Sequence, residues 1–131
     1  MNLLLDTHIW IWSLVDPDRL GKRVARELAS PSNQLWLSPI TTWEAVLLVE
    51  HGRIRVSGRP AAWVAECVRA TPAREAPFTH DVAIHSRNVR LEHPDPADRF
   101  LAATAALQGL TLVTADERLL SCPDIKTMPN R

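Results

Sequence analysis

Asn2-Leu3-Leu4-Leu5-Asp6-Thr7-His8-Ile9-Trp10 begins with three leucines that run straight into an acid. A short apolar run of this kind fits a strand buried on both faces, as in a parallel sheet. Asp6 then sits where the strand stops and an amphipathic segment starts. In open α/β sheets, ligands bind just outside the carboxyl ends of the strands, so a carboxylate there is a candidate for chemistry. It is equally a helix N-cap, a position that favours Asp. The opening stretch alone leaves both readings standing.

Outward from Asp6, His8 to Val15 reads as a short helix and Asp16-Pro17-Asp18 as punctuation. Leu20, Val24, Ala25 and Leu28 recur at helical spacing within Arg19 to Ser30. Gln34 to Leu37 is a second strand. Ser38 and Pro39 start a helix that runs to about His51 and stops at Gly52. Arg53 to Val56 is expected to be briefly extended. Arg59-Pro60 opens a helix through about Ala70, and Arg74 to Phe78 is a strand with Pro77 near its end. Thr79 caps a helix through about Val89. After Asp95-Pro96-Ala97-Asp98 comes a strongly apolar helix, Arg99 to Gln108, ended by Gly109. Leu110 to Val113 is a strand, Ala115 to Leu120 a short helix, and Ile125 to Met128 the last strand. This alternation predicts a three-layer α/β fold around a central, mostly parallel sheet, with residues 1–131 forming one domain.

Composition bounds the function. Of 131 residues, 46% are hydrophobic and 23% charged, a balance that argues against disorder. No apolar run reaches the length of a membrane span, and Leu3 to Leu5 is too short for a signal peptide. Cys67 and Cys122 form neither a metal spacing nor a disulfide framework, so a cytoplasmic location is expected. Net charge is zero and does not by itself demand a nucleic-acid partner. Thirteen of the fifteen basic residues are Arg, whose planar fork matches phosphates and carboxylates. Lys22, Arg23 and Arg26 share the outer face of one helix, where a solvated surface accounts for them.

Four acids stand out by position: Asp6, Glu44, Asp98 and Asp116. Asp6 can cap. Asp95 as N-cap with Asp98 at the third helical position makes a helix-start box. Thr114-Ala115-Asp116-Glu117 is likewise a capping box. Glu44 is harder to explain that way. It shares a helix face with Ile40, Leu47 and Leu48, where an acid costs free energy unless paired or bound to a cation. Asp6 and Asp116 directly follow strands, Asp98 starts a helix entered from a loop, and Glu44 lies near the start of a helix that follows a strand. In a parallel sheet all four can face one sheet edge. Carboxylates gathered there repel, and an all-oxygen site of this kind favours Mg²⁺ or Mn²⁺. Such ions polarise a phosphodiester and activate water. Thr7, Ser38 and Thr114 lie beside the acids and are candidates to orient them or a bound water. Arg99 directly follows Asp98 and is a candidate either to contact a substrate phosphate or to pair with an acid. His8 is read as structural or surface, and His51, His80, His85 and His93 have no zinc-ligand spacing. Trp10, Trp12 and Trp43 are candidates for a partner helix or a dimer contact, and Trp36 and Trp63 for the core.

With these residues in place, the chain resembles the PIN-domain ribonucleases, in particular the VapC-like toxins of prokaryotic toxin–antitoxin pairs. The resemblance rests on Leu-Leu-Leu-Asp-Thr-His ending at His8 and on Leu-Ser-Pro-Ile-Thr-Thr-Trp-Glu ending at Glu44. It continues in Asp-Pro-Ala-Asp-Arg-Phe-Leu-Ala-Ala-Thr-Ala from Asp95 to Ala105, and in Leu-Val-Thr-Ala-Asp-Glu from Leu112 to Glu117. It covers essentially the whole chain. It implies a PIN-like fold in which Asp6, Glu44, Asp98 and Asp116 bind Mg²⁺ or Mn²⁺, with Asp95 as a cap. Asp116 matches the most variable of the four. It further implies RNA cleavage by metal-activated water, a homodimer, and silencing by a small antitoxin protein. Two other functions stay open at this point. One is a phosphatase with Asp6 as nucleophile, which His8 weakens by standing where a second acid would be wanted. The other is a non-catalytic binding module whose acids only cap helices.

Overall fold

The computed structural model describes residues 1–131. Five strands, β1 (Asn2–Leu5), β2 (Gln34–Leu37), β3 (Ala73–Glu75), β4 (Thr111–Thr114) and β5 (Lys126–Pro129), form one sheet in the order β3-β2-β1-β4-β5. Every pairing is parallel. The helices are α1 (Thr7–Val15), α2 (Lys22–Ala29), α3 (Pro39–Glu50), α4 (Pro60–Ala70), α5 (His80–His85), α6 (Pro96–Gln108) and α7 (Glu117–Leu120), with a single 3₁₀ turn at Pro17–Arg19.

The three consecutive leucines are explained by the pleat. Successive side chains of a strand point to opposite faces. Leu3 and Leu5 join one core with Ile9 and Trp10 of α1, Val24 of α2, Ala45 and Val49 of α3 and Val64 of α4. Leu4 enters a second core with Val82 of α5, Leu101 and Ala102 of α6 and Leu119 of α7. Both faces of the central strand are therefore covered, which is the three-layer α/β arrangement expected. β4 divides in the same way, with Leu112 on one side and Val113 on the other.

Several boundaries differ from the sequence reading. The second helix starts at Lys22 rather than Arg19. Gly21 is its N-cap, and a Cβ there would lie 1.8 Å from the Arg131 carbonyl carbon, so only glycine lets that backbone pass. Arg53 to Val56 forms no strand. Gly52 turns the chain at φ 73°, and the Arg53 N–H closes α3 on the Leu48 carbonyl. α5 stops at His85, where bonds from Arg87 to Ile84 and from Asn88 to His85 tighten it into turns. Trp10 is a core residue, 1% exposed, its indole N–H donating to Thr71 Oγ at 2.9 Å, whereas Trp43 is 54% exposed.

Candidate active site

The strand order reverses at β1, which has β2 on one side and β4 on the other. Such a switch point opens a crevice at the carboxyl ends of the strands. Asp6 follows β1 and donates its N–H to the Val113 carbonyl, so it is held against the end of β4. Asp116 follows β4 and lies beside it. Glu44 faces the crevice from the second turn of α3, and Asp98 from the first turn of α6. These four acids line one cleft of about 430 Å³ together with His8, Trp12, His93, Asp95 and Ala115.

Each carboxylate is held by short-range chemistry. Asp6 is the N-cap of α1 and accepts the Thr7 N–H at 2.7 Å on Oδ1. Its Oδ2 accepts the Thr114 hydroxyl at 2.6 Å. Thr7 donates its hydroxyl to Glu44 Oε1. Thr114 thus orients an acid rather than capping a helix: its hydroxyl also accepts the Asp116 N–H at 3.0 Å, and the N-cap of α7 is Asp116, through the Arg118 N–H. Asp95 caps α6 through the Ala97 N–H. Glu44 is half-buried at the edge of the stripe formed by Thr41, Ala45 and Val49, rather than inside an apolar face.

Two expected roles are corrected by the geometry. Ser38 is 1% exposed, and its hydroxyl accepts the Ile40 N–H at 3.1 Å, so it serves the start of α3 and none of the acids. Arg99 does not reach for substrate. Its guanidinium donates to the carbonyls of Ser86, Leu91 and Val89 at 2.9, 2.6 and 3.1 Å, pinning the loop that leads to α6. The fork is planar and reaches three acceptors that a lysine cannot match. Arg99→Ala is therefore expected to destabilise the protein by about 2–3 kcal/mol, with little rescue by Arg99→Lys. Urea unfolding measures it, and an unchanged midpoint would refute the anchoring role.

His93 is the residue that its spacing did not single out. Its Nε2 lies 2.7 Å from Asp98 Oδ2 and 3.7 Å from Asp116 Oδ2. The donor atoms of His93, Asp98 and Asp116 all lie within 4.8 Å of one another. The available signal was local: His93 stands two residues before the Asp95 cap, so the chain that starts α6 carries the ring to the same helix end as Asp98.

Electrostatics of the cleft follow from this crowding. Burial pushes the Asp6 carboxyl above its usual value, opposed by the hydrogen bonds from Thr114 and Thr7. Glu44 is also raised, by burial first, with the Thr7 hydroxyl opposing. Asp98 is pushed up to about 8, chiefly by burial and then by the charges of Asp6, Asp95, Glu44 and Asp116. Acids that raise one another in this way can all ionise together only when positive charge joins them. Hard carboxylate oxygens converging on one cleft fit a divalent cation of the Mg²⁺ or Mn²⁺ type.

Known proteins share this architecture. A family model described as the PIN domain matches residues 3–124. The chain is 32% identical over 121 residues to Ribonuclease VapC22 of Mycobacterium tuberculosis, covering 92% of this chain and 91% of that protein. Among solved structures, VapBC2 from Rickettsia felis bound to a DNA fragment from its promoter superposes with a TM-score of 0.72 at 17% identity, over 98% of both chains. VapC20 of Mycobacterium tuberculosis, described as a sarcin-ricin loop cleaving toxin, superposes with a TM-score of 0.67 at 17% identity, over 95% of this chain and 98% of that one. No helix of the chain is long and apolar enough to cross a membrane.

Proposed function

We propose, for a chain that belongs to the PIN domain family, that it is a metal-dependent endoribonuclease and the toxin of a toxin–antitoxin pair. The observation that carries this reading is the convergence of Asp6, Glu44, Asp98 and Asp116 on one cleft at the switch point of the sheet. In it these four residues hold Mg²⁺ or Mn²⁺, and residues 1–131 act as one domain. Held by these acids, a divalent cation would supply polarisation of the scissile phosphodiester and activation of water. Thr114 and the Thr7 N–H keep both oxygens of Asp6 oriented, and the Thr7 hydroxyl holds Glu44 Oε1, leaving Oε2 free to accept from water.

An acidic cleft repels RNA by itself, but the neighbouring surface offsets this. A groove of about 550 Å³ shares His8 and Trp12 with the acid cleft and carries Arg19, Arg53 and Arg55. The Arg19 guanidinium lies 4.8 Å above the Trp12 ring. Guanidinium groups beside a half-buried aromatic suit phosphates and unstacked bases. The partners in this reading are RNA as substrate, a small antitoxin protein, and a second copy of the chain, and the site of action is the cytoplasm. The antitoxin is supported by toxin–antitoxin complexes among the structural neighbours, such as VapBC from Salmonella typhimurium. A phosphatase reading is disfavoured, because both oxygens of Asp6 already accept hydrogen bonds inside the protein, which dulls a nucleophile.

Incubation of the purified chain with RNA tests the reading. Cleavage is expected with Mg²⁺ or Mn²⁺, none in EDTA, and a severe loss in Asp6→Asn and Glu44→Gln. Cleavage that persists undiminished in EDTA would overturn it.

A further inference from the structure

We propose that His93 is a positioning residue of the cation site, a locked N–H donor that aims Asp98, and not itself a ligand. The proposal rests on the metal-dependent reading above. The ring sits between two sets of partners. On one side, the Asp95 N–H donates to Nδ1 at 3.3 Å; the Arg118 guanidinium nitrogen lies against the ring, 3.2 Å from Nδ1 and 3.4 Å from Nε2, and favours neither. The Asp95 N–H is a donor, so Nδ1 presents its lone pair to it, and a ring proton is assigned to Nε2. On the other side, that Nε2 is 2.7 Å from Asp98 Oδ2, within hydrogen-bond length.

No other side chain donates to Asp98, so the bond from His93 sets the rotation of its carboxyl group and leaves Oδ1 for a cation. Direct ligation through Nε2 would require the proton to move to Nδ1, where it would face the Asp95 N–H. The Asp95 cap has a double role in this arrangement. Its side chain starts α6, which carries Asp98, and its backbone N–H fixes the tautomer of the histidine that aims Asp98. Carboxylates and imidazoles one step out from a metal orient ligands in this way, and their loss typically weakens metal affinity by about 10–100-fold.

The test uses Mn²⁺ as the probe on the full chain. Mn²⁺ affinity is measured by electron paramagnetic resonance in wild type, His93→Ala and His93→Gln, the last keeping an N–H donor. The expected result is a fall of roughly 10–100-fold in His93→Ala and a smaller fall in His93→Gln. No ¹⁴N coupling from a histidine is expected on the bound Mn²⁺, and ¹⁵N shifts of His93 are expected to show Nε2 protonated with and without the ion. A ¹⁴N coupling from His93 would make it a ligand and overturn the proposal. So would wild-type affinity in a folded His93→Ala. Should His93→Ala fail to fold, the ¹⁵N tautomer and the ¹⁴N coupling of the wild type decide the matter alone. Wild type that binds no Mn²⁺ at millimolar concentration would overturn the metal-dependent reading itself, a result distinct from binding that is indifferent to His93.

Discussion

Asp98→Asn is expected to cut RNA cleavage severely and, in the same protein, to raise the stability of the cation-free chain at pH 8. The two effects have one cause. Asp98 is 8% exposed and surrounded by acids, and its carboxyl is pushed up to about 8 by burial and by the charges of Asp6, Asp95, Glu44 and Asp116. The folded chain therefore keeps a proton on Asp98 that the unfolded chain gives up near pH 4. Wherever the folded state binds more protons than the unfolded state, stability falls as pH rises. The loss accumulates from about pH 4 to about pH 8 and then stops, because above that range both states are ionised. The amide of the Asp98→Asn variant carries no charge at any pH and escapes the loss. Its thermal midpoint should exceed that of wild type by about 5 °C at pH 8, and the two should converge near pH 4. Activity moves the other way. Charge stabilisation by a bound cation is worth several kcal/mol in the transition state. At tenfold per 1.36 kcal/mol, a ligand lost from that site is expected to cost on the order of a thousandfold in rate. Thermal melts at the two pH values and a cleavage assay on both proteins check the pair. An Asp98→Asn variant that is less stable than wild type at pH 8 would remove the repulsive cluster from the account.

A saturating divalent cation is expected to stabilise the wild-type chain strongly at pH 8 and weakly at pH 5. A ligand at a hundred times its dissociation constant contributes about 2.7 kcal/mol, which for a chain of this size is a shift of roughly 10 °C. At pH 5 the cation has to displace the proton on Asp98, and protons on Asp6 and Glu44 compete as well, since both are held above their usual values by burial. Binding is thus expected to release protons, and its calorimetric heat to depend on the buffer. Melting curves with Mn²⁺, Mg²⁺ and EDTA at the two pH values measure the effect. The same midpoint in all three at pH 8 would mean that the acids do not share a cation.

The sheet, its parallel sense and the layer order were legible in the chain because they rest on local pattern. Leu3, Leu4 and Leu5 can be consecutive only if both faces of their strand are covered. The alternation of strands and helices then leaves few ways to wind the rest. The four acids were legible for the same reason: each stands where a strand ends or a helix begins, and parallel strands send those points to one edge. The partners of the neighbours were not, because a side chain's partner is chosen by tertiary packing and not by spacing. Thr114 reads both as part of a capping box and as a candidate to orient an acid, and the fold selects Asp6, 108 residues away in sequence, as the acid it orients. Arg99 adjoins an acid in the chain, yet its guanidinium closes on three carbonyls of the preceding loop. His93 has no ligand spacing and enters the cluster only because the loop before α6 brings it into the cleft lined by Asp6, Asp98 and Asp116. For this protein the sequence alone determined where the acids stand. Tertiary structure decided which donors hold them and how high the Asp98 pKa rises, because both depend on burial and on charges brought together from four separate segments of the chain.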